Sequence, residues 1–184
     1  MSARSIFNCP KYIQARQVAA SASAVKSSGE KTEVTRATVL SPQQSEWIAR
    51  TDTFFIASAV SDGGKMPGGG ADASHRGGNP GFVRVPDGAT LEWPDYSGNS
   101  MFNTLGNITI NPNAGLLFLD FEQGHTLQRT GQADVVWDPE RAATFPGAER
   151  VVEFHIEQTV QVTHASPLRF RFLQYSRFNP FFHP

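Results

Sequence analysis

The chain has little cysteine, little charge imbalance and no long apolar run, and each shortage removes a class of explanation. Cys9 is the only cysteine, so no internal disulfide can form and a thiolate metal site would need more than one chain. Lysine and arginine number 16 against 17 acidic residues, a formal net charge of −1. That balance gives no electrostatic case for nucleic acid or an anionic membrane surface. The longest apolar runs, Phe54 to Val60 and Leu116 to Leu119, are too short to cross a bilayer, and Met1 to Cys9 lacks the apolar centre of a signal peptide. The expectation is a cytoplasmic protein with neither a membrane nor a nucleic acid as partner. The glycine-rich stretch Gly63 to Gly70 contains neither G-x-G-x-x-G nor a P-loop, which removes the Rossmann and P-loop readings. H-E-x-x-H and G-x-S-x-G are missing as well. His125, His155, His164 and His183 show no ligand spacing, so no metal site is expected and no hydrolase triad suggests itself.

What is present points to one domain. A chain of 184 residues, 39% hydrophobic, can bury a real core, and 14 phenylalanines against 3 tyrosines imply a thick apolar interior or an apolar interface. Residues 1–40 are rich in Ser, Ala, Lys and Thr without a lasting apolar period. They read as a partly flexible N-terminal arm, with a linker over Ala19 to Lys31. Ser41-Pro42 followed by Glu46, Trp47 and Ile48 predicts a capped helix packed over the end of a sheet. Thr53 to Val60 predicts a buried strand, and Gly81 to Val85 with Thr90 to Trp93 a hairpin turned by Pro86-Asp87-Gly88. From Gly98 the spacing of Phe102, Leu105 and Ile108 predicts a helix capped by Asn99 and stopped at Asn111-Pro112. Ala114 to Phe121 and Thr126 to Trp137 read as paired strands. Val151 to Val162 alternates, with Val152, Phe154 and Ile156 opposite Glu153, His155 and Glu157, as a half-buried strand does. Six or so antiparallel strands, few helices and no βαβ rhythm give a mainly β fold, a barrel over residues 41–172. Residues 173–184 form an aromatic tail that should cover a partner subunit or a cofactor ring.

Two polar, glycine-bearing clusters draw the attention, Asp72-Ala73-Ser74-His75-Arg76-Gly77-Gly78-Asn79-Pro80-Gly81 and Pro94-Asp95-Tyr96-Ser97-Gly98-Asn99-Ser100. Each offers small residues that let backbone N–H groups approach and short side chains that donate. The first adds a guanidinium suited to a phosphate. The helix after the second cluster would aim its N-terminal N–H groups at the same point as Asn99, Ser100, Asn103 and Thr104.

These runs, continued by Phe102-Asn103-Thr104-Leu105-Gly106-Asn107, Gly115 to Phe121 and Leu127 to Ala133, resemble the pyridoxamine 5′-phosphate oxidase-related family of FMN-binding split barrels. The resemblance implies an antiparallel split barrel that binds FMN at the interface of a homodimer. It also implies cofactor contacts from Ser74, His75, Arg76, Gly77, Asp95, Asn99, Ser100, Asn103 and Thr104. Relatives often have Pro-Lys where this chain has His75-Arg76, which keeps the positive charge. The Trp-initiated, Arg-containing ending of relatives that oxidise pyridoxamine phosphate is not found at Pro167 to Phe172, so that reaction is not expected. Some similar relatives carry a reductase module after this point. The implied activity is therefore an FMN-dependent oxidoreductase or electron-transfer protein served by a separate NAD(P)H-dependent reductase. The alternative is a non-catalytic module holding FMN, haem or a deazaflavin. No catalytic residue is assigned.

Overall fold

The computed structural model describes residues 10–20, 31–60, 70–98 and 102–181. Cys9, Asn99 and Ser100 lie outside them. Within them the chain runs β1 (Ala15–Ala20), β2 (Val34–Ala37), α1 (Pro42–Arg50), β3 (Thr53–Val60), β4 (Gly70–Gly77), β5 (Arg84–Asp87) and β6 (Thr90–Tyr96). It continues through α2 (Asn103–Ile110), β7 (Asn113–Leu119), β8 (Thr126–Val136), α3 (Pro139–Ala143), β9 (Ala148–Val162) and β10 (Arg169–Gln174). One sheet has the hydrogen-bonded order β4, β3, β7, β8, β9, β6, β5, with β2 also on β9; β1 and β10 form a separate pair. Every pairing is antiparallel. The mainly β class is as expected, while the described strands number ten rather than six or so. Three of the additional strands are β1 and β2, from the segment read as an arm, and β10, which crosses the boundary drawn between barrel and tail at residue 172. Their edges are satisfied by long-range pairing that short-range pattern does not encode.

The core follows from alternation. Phe54 and Ile56 on β3 face Phe118 and Leu116 on β7, whose cross-strand neighbours on β8 are Leu127 and Arg129. On β9, Val152, Phe154 and Ile156 turn inward and are buried. The Phe54 ring lies 5.1 Å from Trp93, 5.2 Å from Phe118 and 5.9 Å from Phe82. Phe54, Phe82, Phe118, Phe145 and Phe154 are buried, so part of the abundant phenylalanine is interior. Helix α1 covers the barrel with Ile48, which is fully buried. Its start is a capping box: Ser41 Oγ accepts from Gln44 N–H, and Gln44 Oε1 accepts from Ser41 N–H.

Arm and tail meet on the barrel wall. Gln14 Nε2 donates to the carbonyls of Tyr12, Asp52 and Gly78, and Asn179 Nδ2 donates to Gln14 Oε1 and Asn79 Oδ1. Arg16 pairs with Asp52 at 2.5 Å and lies 3.9 Å over the Phe121 ring. Burying these amides is favourable only because each finds several partners. No helix among the described residues is long and apolar enough to cross a membrane.

Candidate functional site

The first polar cluster is strand β4, and this changes how its residues are grouped. Side chains alternate across a strand, and β4 pairs with β3 so that Asp72 lies opposite Ser58, Ser74 opposite Ile56 and Arg76 opposite Phe54. Asp72, Ser74 and Arg76 thus share the inward face. His75 projects to the other side, opposite Phe55, with the two rings edge-to-face at 6.0 Å. Burial, with the Arg76 charge beside it, lowers the His75 pKa to about 4, so its imidazole is neutral at pH 7. Gly77 is a crossing point for the arm: a Cβ there would strike the Tyr12 carbonyl and the His75 ring. The sequence grouped Ser74, His75, Arg76 and Gly77 as one lining; the pleat splits them between two faces.

Helix α2 lies across the inward face of β3 and β4. Asn107 Nδ2 donates to Ser58 Oγ at 3.2 Å, and Thr104 Oγ1 lies 3.0 Å from Ser74 Oγ. The helix begins at Asn103, not near Gly98, and Phe102 occupies its N-cap position without a side-chain cap. The apolar side chain of Phe102 therefore gives the N–H groups of its first turn no acceptor. Asp72 Oδ2 accepts from Thr104 Oγ1 at 2.5 Å and from Ser74 Oγ at 2.9 Å.

At the top of the cluster two arginines meet one aspartate. Arg76 Nη1 donates to Asp95 Oδ1 at 3.1 Å, and Arg150 Nη1 sits 3.3 Å from Asp95 Oδ2. Strands β4 and β6 are not neighbours in the sheet, so the Arg76–Asp95 pair bridges the barrel edge where no backbone ladder does. Burial lowers the pKa of Arg76 and raises that of Asp95, and each is drawn back by the other's charge. Arg76 Nε is buried without a hydrogen-bond partner. Arg150 also pairs with Glu149, and its guanidinium lies 5.0 Å from the Phe102 ring and 5.1 Å from the Trp137 ring, both rings exposed. The Tyr12 ring lies tilted 5.0 Å from Tyr96, and its hydroxyl donates to the Ser97 carbonyl, fixing the second motif from the arm. Burial pushes the Tyr96 hydroxyl up to about 12.

The structure therefore brings Ser74, Arg76, Asp95, Asn103 and Thr104 to one edge and takes His75 to the opposite face. Asp72, Arg150, Phe102 and Trp137 belong to this edge and were missed. Asp72 stood inside the quoted motif, and reading that motif as a strand would have placed it two residues below Ser74 on the same face. Among the described residues no group of His, Cys, Asp or Glu is disposed to hold a metal.

A phosphorylated cofactor fits this edge only in part. The unpartnered Arg76 Nε and the uncapped start of α2 are donors that an anion needs. The hydroxyls of Ser74 and Thr104, by contrast, are turned to Asp72.

An antiparallel barrel bridged by an ion pair rather than a ladder at one edge, with a helix and a polar cluster at that edge, is a split β-barrel. The profile of the pyridoxamine 5′-phosphate oxidase family matches residues 40–174, and the chain belongs to that family. No curated protein matches the sequence. Among solved structures, one from Lactobacillus delbrueckii, provisionally named a pyridoxamine 5′-phosphate oxidase, is 18% identical with a TM-score of 0.50, covering 67% of this chain and 94% of its own. At that identity the shared property is the fold. HupZ of group A Streptococcus (14% identity, TM-score 0.48, 64% of this chain and 90% of its own) and an FAD-binding protein of Mycobacterium smegmatis (17%, 0.44, 69% and 98%) superpose less closely.

Proposed function

We propose that this chain is an FMN-binding flavoprotein, an oxidoreductase or electron carrier that works as a homodimer with the flavin at the subunit interface. The observation that carries the reading is the meeting of Ser74 and Arg76 on β4 with Thr104 at the uncapped start of α2, at the unpaired edge of a barrel of this family. Arg76 would supply the charged donor to the phosphate and the α2 N–H groups the rest. Bound flavin supplies the hydride and electron chemistry, while the protein holds the ring and controls access to it.

Completion by a second copy is supported by the exposed end of the fold. Phe172, Leu173, Tyr175, Phe178 and Phe181 are exposed on the tail, more apolar surface than a lone chain end usually leaves in water. A separate NAD(P)H-dependent reductase would deliver the electrons. A non-catalytic flavin carrier is the second reading. It is favoured by the side chains at the edge, where Asp95, Arg76 and Arg150 are already paired with one another and His75 faces away.

The test is the absorbance spectrum of the purified protein with the released cofactor identified by mass. Arg76→Ala should lose roughly 1.5–3 kcal/mol of FMN affinity, the loss expected for one charge-assisted bond. Its unfolding temperature is followed in parallel, because the same side chain bridges the barrel edge. An unchanged flavin dissociation constant would remove Arg76 from the site. Rapid mixing with NADH, NADPH and a reductase separates the two readings, since a bound flavin that none of them reduces supports the carrier.

A further inference from the structure

Asp72 is the residue at this edge that works against a phosphate. Its Oδ2 accepts from Thr104 Oγ1 at 2.5 Å and from Ser74 Oγ at 2.9 Å, and the two hydroxyl oxygens are 3.0 Å apart. A hydroxyl carries one hydrogen. Ser74 gives its hydrogen to Asp72, and among the described residues Thr104 has Asp72 or Ser74 to give its own to. An ionised carboxylate and a phosphate are both acceptors only, so each needs the same two hydrogens. Arg76 has Nη1 on Asp95 and Nε without a partner, so it can add a donor for an anion but does not replace the two hydroxyl hydrogens that Asp72 takes. Among the described residues the carboxylates of Asp72, Asp95 and Glu149 share this edge with the guanidiniums of Arg76 and Arg150, so an arriving anion meets carboxylates as well as cations.

We infer that Asp72 is a specificity-determining residue: its carboxylate occupies the place of the ligand's anionic group on Ser74 and Thr104 and sets the preference between phosphorylated and unphosphorylated flavin. The inference rests on the flavin reading above. Entry of FMN requires Asp72 to release both hydroxyls, whereas the uncharged side chain of riboflavin carries hydroxyls that can donate to the carboxylate. Neutralising Asp72 removes one negative charge from the cluster and leaves an amide oxygen that can still accept from Thr104.

The experiment is a titration of the wild type and of Asp72→Asn with FMN and with riboflavin, followed by quenching of flavin fluorescence. The expected result is that the substitution tightens FMN by roughly tenfold or more, the scale of removing one nearby like charge, and changes riboflavin by less than about threefold, the scale of one neutral hydrogen bond. A parallel shift of both ligands, or a loss of FMN affinity, would overturn it. Asp72→Ser serves as a second variant if the amide perturbs folding. Inorganic phosphate supplies a flavin-independent readout. It should raise the unfolding temperature of Asp72→Asn more than that of the wild type. If neither protein binds either flavin, the cofactor reading fails, and the phosphate series still decides Asp72: equal phosphate effects on both proteins would overturn its role.

Discussion

Arg129 gives the sharpest stability prediction. It stands on the inward face of β8, two residues from Leu127, with Leu116 and Thr159 as its cross-strand neighbours, and it is 1% exposed. Its Nη1 donates to the carbonyl of the adjoining Gln128, while Nε, Nη2 and the Thr159 hydroxyl have no partner. Burial alone pushes its pKa down to about 10, so the group is still charged at pH 7 and no carboxylate compensates it. At about 1.4 kcal/mol per tenfold, keeping that charge inside the barrel costs on the order of 3 kcal/mol. Arg129→Met removes the charge and fills much of the same space with a flexible apolar chain, losing one hydrogen bond of about 1 kcal/mol. The net expectation is a gain of roughly 2 kcal/mol, or about 4–8 °C in unfolding temperature for a domain of this size. A pH series adds an independent check. The folded pKa lies below the unfolded one, so between the two values the unfolded chain binds more protons and wild-type stability rises with pH. The advantage of Arg129→Met should accordingly shrink as pH climbs through about 10. Calorimetry of both proteins from pH 7 to 11 measures both effects. A variant that melts lower at pH 7, with a difference independent of pH, would refute the argument and mean that Arg129 is compensated inside the barrel.

Two further predictions follow the same logic elsewhere. Asn179→Ala removes the donor to Asn79 Oδ1 and one of the two donors to Gln14 Oε1, which keeps the Ser176 N–H, and should cost about 1 kcal/mol or more, with limited proteolysis of the C-terminal tail accelerating in step; an unchanged cleavage rate would mean that the amides do not anchor it. His75, held neutral with a pKa of about 4, binds fewer protons folded than unfolded as pH falls below about 6.5, the usual histidine value. Stability should therefore drop through that window, and the drop should be absent in His75→Phe, as unfolding-temperature curves from pH 4 to 7 would record.

How much of this could be read beforehand depended on whether a signal was local. The α1 cap was legible because Ser41 and Pro42 act within one turn, although the part of Gln44 in the capping box was not read. The inward row of β9 was legible because Val152, Phe154 and Ile156 alternate without interruption. β1 and β10 were not, since Arg16 and Phe172 pair across most of the chain and neither segment alternates strongly enough to show the need for a partner. The start of α2 was misplaced for a related reason: Asn99 is a good cap residue by type, yet the helix takes Phe102 at its N-cap position with no side-chain bond.

How the candidate site residues group depended on which face of a strand each one takes. The small and polar residues of Asp72 to Gly77 read as a ligand-facing cluster and not as a strand, because strand formers are usually β-branched or aromatic. In the structure β4 pairs with β3 along its full length, and β3 supplies the apolar contacts that β4 lacks. Once that segment is a strand, period two decides the chemistry. Arg76 goes to Asp95 and the barrel edge, His75 goes to Phe55 and the arm, and Asp72 comes onto the face of Ser74 and Thr104. A cluster rich in phosphate-binding residue types thus carries its own competing anion, which composition could not reveal because Asp72 counts for or against a phosphate only through the face on which it stands.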